Sequence, residues 1–216
     1  MQKTIIKTII ITVVAFIGAL AITFGILSLC CPNFIADVAD TLGANSICTY
    51  YREKQFEKSG EFDDLKKLVI SLDADENSSL TSKYSFELIE ENRVEFNDYC
   101  KQDGKKEFGS EKNAKEYFFD KYIISEYNQG RIDNALNLAV KCVMTEGCGY
   151  TASNPFRSLI YGKAEELSEQ DIYSIRSKLV LSLSLYSLSN EENARRQQDI
   201  AQLDELKEQK QQQTQD

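Results

Sequence analysis

The hydrophobic positions follow three successive patterns along the chain of 216 residues. Residues 8–31 read TIIITVVAFIGALAITFGILSLCC and carry no charge. Further along, apolar residues recur every three or four positions, which is the spacing of one helix face. Beyond Ser189 the chain is mostly polar. These patterns predict a long apolar helix, then a set of amphipathic helices, then a polar tail.

The apolar segment has the length of a membrane span. At a rise of ~1.5 Å per residue, a helix of this length covers ~36 Å, which exceeds a ~30 Å hydrocarbon core. We predict an uncleaved transmembrane helix over residues 8–31 that contacts membrane lipid, preceded by a cytoplasmic N-terminus, residues 1–7. A removed signal peptide is the alternative, but its apolar region would be only ~7–15 residues long. Leu29, which precedes Cys30, argues against a lipoprotein signal.

The flanking charges predict the orientation of this span. Lys3 and Lys7 precede it, and no Lys or Arg occurs between Pro32 and Tyr51. Positive residues remain on the cytoplasmic side of a membrane. The sequence therefore predicts a single-pass signal-anchor protein of the cell membrane whose C-terminal domain, residues 32–189, is extracytoplasmic.

Two segments of that domain predict helical hairpins centred on glycine. After Gly130, apolar residues follow the spacing of one helix face: Ile132, Ala135, Leu136, Ala139, Val140 and Val143. Before it, Ser110–Asn128 is rich in aromatic residues and begins with a favourable N-cap. Gly60 is likewise followed by a helix face, formed by Phe62, Leu65, Leu68, Val69 and Leu72. Glycine at both turns allows a left-handed backbone at little cost.

These hairpins resemble the tetratricopeptide repeat, a helix–turn–helix unit that stacks into a solenoid. The later copy carries Phe119, Gly130, Ile132, Ala135 and Leu136, and the earlier copy carries Phe56, Gly60, Phe62 and Leu65. The Trp, the Leu-Gly pair and the closing Pro of the motif are absent in this register. The whole chain is also similar to uncharacterised single-span, repeat-bearing proteins of Gram-positive bacteria. These resemblances imply an all-α fold, with a TPR-like α-solenoid outside the membrane, and no particular activity.

The remaining segments complete an all-helical prediction. Ser79–Cys100 and 156–163 are predicted as helices, 101–109 and 145–154 as loops, and Ser168–Asp171 as a capping box that opens another helix. Residues 181–186 alternate with the period of a strand, but no partner strand is predicted, so we expect a helix there. Residues 190–216 are predicted to form a polar helical or disordered tail.

Composition excludes several kinds of function. The chain has no histidine, which removes Ser-His-Asp and Cys-His catalysis and zinc sites of the HExxH kind. It has 25 basic and 34 acidic residues, for a net charge of −9. Because this charge repels phosphate backbones, we predict no nucleic-acid partner.

The calcium-like segment at residues 73–77 is the sharpest candidate for a ligand site. Asp73, Asp75 and Asn77 match the first three ligands of a calcium loop. The sixth position is Ser78 rather than Gly, and the twelfth is Tyr84 rather than Glu. We therefore interpret the segment as a loop between helices and predict no metal and no cofactor. Asn77–Ser79 also fits a glycosylation sequon, which matters only in a eukaryotic secretory pathway.

The cysteines and the adjacent carboxylates have structural and chemical interpretations. In an exported domain, the cysteines could form a Cys142–Cys148 disulfide or a disulfide between chains. We prefer the alternative that they are free thiols, buried like small hydrophobic residues. Neighbouring acids such as Asp63/Asp64 and Glu90/Glu91 point apart on a helix and are expected to lie on a solvated outer face. No catalytic residue is predicted.

The sequence thus favours a binding function over an enzymatic one. We predict a protein-interaction scaffold, or an accessory subunit of a cell-envelope complex, with a protein partner. The alternative is a secreted or membrane-bound enzyme that uses carboxylate, tyrosine or cysteine chemistry without histidine. A deep pocket with two perturbed carboxylates would favour that alternative.

Overall fold

The computed structural model describes the backbone of residues 2–213, and the side chains of residues 12–213 except 20 and 28. The described residues contain helices and connecting segments, and no strand. The α-helices are α1 Gln2–Cys30, α2 Pro32–Thr41, α3 Asn45–Ser59, α4 Phe62–Ser71, α5 Ser78–Phe86, α6 Arg93–Lys101, α7 Asp103–Phe108, α8 Glu111–Asn128, α9 Ile132–Met144, α10 Pro155–Arg157, α11 Glu169–Ser177 and α12 Asn190–Gln213. The predicted all-α class is confirmed.

Three of these helices continue as π-helical turns. The turns are Glu87–Glu91 after α5, Ser158–Gly162 after α10 and Lys178–Ser182 after α11. A 3₁₀ turn, Leu183–Leu185, follows the last of them. The alternating segment 181–186 is therefore helical over most of its length, as predicted. The chain divides into two compact units, residues 1–71 and 72–216.

The first unit contains α1 to α4. α2 packs on α3, and α3 packs on α4. Gly60, with φ of 65°, ends α3 in the left-handed conformation predicted for this turn. The carboxylate of Asp64 is buried here and accepts hydrogen bonds from Asn33 at 3.0 Å, Gln55 at 2.8 Å and Ser59 at 2.7 Å. These bonds connect α2, α3 and α4.

The apolar N-terminal segment forms a helix followed by a bend. Within the described residues, no single helix has both the length and the hydropathy of a membrane span. Thr12–Leu27 and Pro32–Thr41 meet these criteria together, across a bend of 113°. The predicted span 8–31 includes residues 8–11, 20 and 28, whose side chains lie outside the described set.

The second unit is built around α8. α5, α6, α7, α9 and α10 all pack against it. Its aromatic residues Phe118 and Phe119 are fully buried, and Phe96 of α6 meets Phe118 edge to face at 5.7 Å between ring centroids. Ser110 caps α8, because its Oγ accepts a hydrogen bond from the backbone N–H of Asn113 at 3.0 Å. The cap and the hairpin to α9 through Gly130 agree with the sequence prediction.

Two local predictions are wrong. Residues 101–109, predicted as a polar loop, contain α7. Ser79–Cys100, predicted as one helix, is interrupted at Asn92 between the π-helical turn and α6. The capping box at Ser168 is confirmed: its Oγ accepts from the N–H of Asp171 at 3.2 Å, and the Asp171 carboxylate accepts from the N–H of Ser168 at 2.8 Å.

The polar C-terminal segment forms a packed helix. α12 contacts α11, and Asp199 and Leu203 are fully buried. Asp199 accepts hydrogen bonds from the hydroxyls of Tyr150 and Tyr161, each at 2.7 Å. The segment is therefore a packed helix over most of its length and not the solvated polar tail predicted for residues 190–216. Residues 214–216, where disorder was expected, lie outside the description.

Candidate functional site

A polar cleft lies beside the turn between α8 and α9. It encloses about 720 Å³ and is lined by Asp75, Tyr127, Asn128, Gly130, Ile132, Gly162, Lys163 and Glu166. We refer to it as the polar cleft. Its walls come from the 73–77 loop, the turn at Gly130, which has φ of 74°, and the segment after Gly162. Three separate parts of the second unit therefore form it.

The calcium-like segment forms one wall of the cleft through its own turn. Asp73 Oδ1 accepts hydrogen bonds from the backbone N–H groups of Asp75 at 2.8 Å and Glu76 at 3.2 Å. This is an aspartate turn, in which the side chain caps its own loop. Asp75 instead accepts from Asn128 Nδ2 at 2.9 Å. Within the described residues, no group of three or more His, Cys, Asp or Glu side chains could hold a metal ion.

The charges in the polar cleft are paired with one another. Lys163 forms an ion pair with Asp75 and a second, at 3.4 Å, with Glu166. The hydrogen bond from Lys163 and that from Asn128 lower the pKa of Asp75. Burial alone would lower the pKa of Lys163, but the hydrogen bond and charge of Asp75 raise it. Both groups are therefore charged at neutral pH, which does not suit either for general acid–base catalysis there.

A second recess lies between α9 and α11. We call it the α9–α11 groove; it encloses about 280 Å³ and is lined by Asp133, Leu136, Tyr173, Ser174, Ser177, Lys178, Leu181 and Ser182. Tyr173 and Leu181 are 62% and 67% exposed, and Leu136 is fully buried. Leu136 therefore lies buried in the groove, and Tyr173 and Leu181 lie exposed at its rim among polar side chains. It shares the first turn of α9 with the polar cleft, because Ile132 lines the cleft and Asp133 lines the groove.

A buried carboxylate fixes the turn that both recesses share. Glu126, which is 2% exposed, accepts hydrogen bonds from Arg131, Ser82 and Asn134. Its bond from Arg131 Nε is 2.7 Å long. Burial alone would raise the pKa of Glu126, but the hydrogen bonds from Arg131, Ser82 and Asn134 lower it. This carboxylate ties α5 and α9 to the end of α8, and the sequence analysis did not identify it.

Two further acidic residues on α8 differ from Asp75 of the polar cleft, because their pKa is raised and not lowered. Burial raises the pKa of Glu116 and that of Asp120, four residues later. Glu116 is 1% exposed and accepts hydrogen bonds from the hydroxyls of Thr151, at 2.6 Å, and Ser153, at 2.7 Å. Glu116 therefore holds the 145–154 loop on α8. This role could not be predicted from the sequence, because both hydroxyls are distant from Glu116 along the chain.

The adjacent acid pairs have separate environments, as expected for helix neighbours. Asp63 pairs with Lys66 at 2.9 Å and Lys67 at 2.6 Å, whereas Asp64 is buried among amide and hydroxyl groups. Glu91 is exposed, and Glu90 pairs with Lys141. The prediction that these acids solvate an outer face is therefore wrong for Asp64.

The cysteines are free thiols. Cys48, Cys100, Cys142 and Cys148 are buried, which agrees with the preferred interpretation, and Cys30 and Cys31 are exposed. The N–H of Cys148 donates to the carbonyl of Cys142 at 3.1 Å. Burial raises the pKa of Cys142 well above its usual value, so its thiol is protonated at neutral pH.

Comparison with known proteins returns no relative from which a function could be carried over. No protein-family model matches the chain. No curated protein and no solved structure matches it either.

Proposed function

We propose that this chain is a single-pass membrane protein whose helical domain binds a protein partner, as a scaffold or an accessory subunit of a cell-envelope complex. The observation that carries the binding proposal is the α9–α11 groove with Tyr173 and Leu181 exposed at its rim. Large apolar side chains beside a groove are typical of surfaces that receive an amphipathic helix or peptide. The polar cleft shares the first turn of α9 with this groove. Its charged groups favour one orientation of a bound partner over others.

The membrane anchor in this proposal rests on the apolar surface of α1. Eight of its described large apolar side chains are 50% to 73% exposed, and Leu27 is half-buried. The eight are Val13, Val14, Phe16, Ile17, Ile22, Phe24, Ile26 and Leu29. Apolar surface in water costs ~25 cal/mol per Å², whereas lipid removes that cost. A helix that is apolar all round requires burial in protein or in a membrane. Lys3 and Lys7 then orient the chain with its N-terminus in the cytoplasm.

The tetratricopeptide-like arrangement is part of the same proposal. Its support is the pair of hairpins, α3–α4 through Gly60 and α8–α9 through Gly130, with both glycines in the left-handed conformation. Leu65 in one hairpin, and Phe119, Ala135 and Leu136 in the other, are buried. Such hairpins suit the extended binding surfaces that helical repeats provide.

Site-specific photo-crosslinking in intact cells tests the binding proposal. A photoreactive amino acid replaces Leu181 at the groove rim in the full-length chain. The matched control places it at Val94, which is 71% exposed in the same unit and does not line the groove. We expect one defined adduct at position 181 and none at position 94. Equal labelling at both positions, or none at 181 although the protein is present in the membrane, overturns the proposal.

Protease treatment of sealed cells tests the orientation separately. An extracytoplasmic domain is digested in intact cells, whereas a cytoplasmic domain is digested only after lysis. Digestion only after lysis contradicts the predicted orientation without affecting the crosslinking result.

A further inference from the structure

The helix after the proposed anchor turns sharply away from it. α1 ends at Cys30 and α2 begins at Pro32, and the chain bends by 113° between Thr12–Leu27 and Pro32–Thr41. If α1 were perpendicular to the bilayer, a bend of 90° between the two helices would place α2 flat on the bilayer surface. The difference is 113 − 90 = 23°, close to the ~20° tilt that membrane-spanning helices commonly have. If α1 crosses a bilayer with a tilt of this size, the bend is compatible with α2 lying along the bilayer surface.

One side of α2 is used for packing within the first unit. Ala36 and Ala39 are buried against Cys48 of α3, with Ala44 and Tyr51 packed around them. Ile35 is also buried. This contact fixes α2 on α3, so the two helices present a common outer surface.

A neighbouring side of α2 carries large apolar residues that remain exposed. Phe34, Val38 and Leu42 follow at intervals of four residues and are 54%, 42% and 76% exposed. On α3, Ile47 and Tyr50 are each 50% exposed. We call these five residues the apolar stripe. Three residues at this spacing lie on one helix face.

We propose that the apolar stripe is immersed in the interface of the bilayer that α1 crosses, so that α2 acts as an interfacial helix. This inference depends on the proposed membrane anchor. Phe34 lies four residues beyond Cys30, and the bend before Pro32 turns these residues away from the axis of α1, so Phe34 stays close to the level at which α1 ends. The polar region of one leaflet is ~5–8 Å thick. Chain continuity thus places the beginning of the stripe at the headgroup level, which favours lipid over a second copy of the chain.

The charges around the stripe define the kind of lipid contact. No Lys or Arg occurs from Pro32 to Tyr51, whereas Asp37 and Asp40 lie on α2. Asp37 is paired with Arg52, which also donates to Asn33 at 2.9 Å. Binding of this surface therefore comes from apolar burial, without attraction to anionic headgroups. Anionic lipid is expected to leave it unchanged or to weaken it.

The absence of tryptophan in the chain makes the inference directly testable. Phe34→Trp in the full-length protein introduces a single reporter on the stripe, in phosphatidylcholine vesicles that contain lipids brominated along the acyl chain. We expect a blue-shifted emission that bromine near the headgroup end of the chain quenches strongly. Replacing part of the phosphatidylcholine with phosphatidylglycerol should not increase the quenching. An increase would contradict burial by apolar contact alone.

Two matched reporters separate failure of this inference from failure of the anchor. Ile17→Trp, on α1 where the native side chain is 59% exposed, reports the span, and Val94→Trp reports an exposed position of the second unit. Deep quenching at 17 with none at 34 overturns the interfacial helix and leaves the anchor intact. No quenching at 17 or at 34 overturns both. Emission from the Phe34→Trp variant that is blue-shifted but unquenched indicates a protein contact, such as a second copy, and overturns the lipid assignment.

Discussion

Single residues in this protein act mainly by fixing turns, and Glu192 is the clearest example. Its carboxylate accepts hydrogen bonds from the N–H of Ser189 at 2.9 Å and the N–H of Tyr150 at 2.9 Å. Ser189 Oγ accepts in return from the N–H of Glu192 at 3.2 Å, which completes a capping box at the start of α12. The Ser-x-x-Glu pattern at 189–192 is typical of this motif, although only a polar helical or disordered tail was predicted there. The bond to Tyr150 could not be predicted, because 42 residues separate the two.

The glycines next to this carboxylate provide a matched pair of substitutions. Gly147 and Gly149 both have φ of 72°, so alanine costs ~1–2 kcal/mol at either position through backbone strain. A Cβ at Gly147 meets nothing within 4 Å, whereas at Gly149 it overlaps Glu192 and Lys112. We expect Gly149→Ala to cost ~1–3 kcal/mol more, because Glu192 Oε1 must move away and loses its hydrogen bond from the N–H of Tyr150. Denaturant unfolding of both variants in detergent measures this difference; equal losses would contradict it.

At the scale of secondary structure, the turns and caps predicted from local signals are correct, whereas two element boundaries are not. The turns at Gly60 and Gly130 and the caps at Ser110 and Ser168 depend on residues within a few positions of one another, so a sequence pattern contains them. α7 was missed because Gly104 reads as a helix breaker. A Cβ there would lie 3.1 Å from Ala114 Cβ and 3.2 Å from Tyr99, so glycine allows α7 to approach α8 closely. That constraint is set by the neighbouring helices and not by local propensity.

The two recesses could not be predicted from the sequence either, because they too depend on contacts between segments that are distant along the chain. The polar cleft joins Asp75, Asn128 and Lys163 from three distant segments. The sequence identified Asp75 through a calcium-like pattern, but its partner Lys163 is 88 positions away. The turn at Gly130 was predicted, whereas the carboxylate of Glu126 that fixes it was not. Local sequence patterns therefore identified single residues, but not the contacts between distant segments that form the cleft.

The C-terminal helix provides a test of an element whose packing the sequence did not indicate. Leu203 of α12 is fully buried, whereas Leu185, before α12, is 84% exposed. We expect Leu203→Ala to destabilise the protein by ~2–5 kcal/mol through lost burial and a cavity, and Leu185→Ala to change stability by less than ~0.5 kcal/mol. Hydrogen exchange of α11 and α12 identifies the affected region. If Leu203→Ala were as mild as the control, α12 would not be an integral part of the second unit.

At the scale of the whole molecule, different acidic side chains make stability depend on pH in opposite directions. Burial raises the pKa of Glu116 and Asp120 above that in the unfolded chain, so their ionisation destabilises the fold at neutral pH. As pH falls, these two carboxylates bind protons at a higher pH in the folded state than in the unfolded chain. The free energy of unfolding therefore rises. Glu192 behaves oppositely. Burial would raise its pKa, but hydrogen bonds from Ser189 and Tyr150 lower it to about 2. Its contribution is present above pH ~4.3 and is lost as pH falls towards about 2.

These opposite shifts predict a stability maximum in mildly acidic solution. The net charge of −9 also diminishes as pH approaches the isoelectric point of about 4.8, which reduces self-repulsion. Urea midpoints of the full chain in detergent should therefore rise from about pH 7 to about pH 5 and fall between about pH 4 and about pH 2.

Glu116→Gln should raise the midpoint at neutral pH and flatten the rise, because the amide is uncharged throughout. Glu91→Gln, at an exposed position, should retain the full rise apart from the small change in net charge. A rise as steep in Glu116→Gln as in Glu91→Gln would show that general charge repulsion, and not the buried carboxylate on α8, sets the acidic optimum.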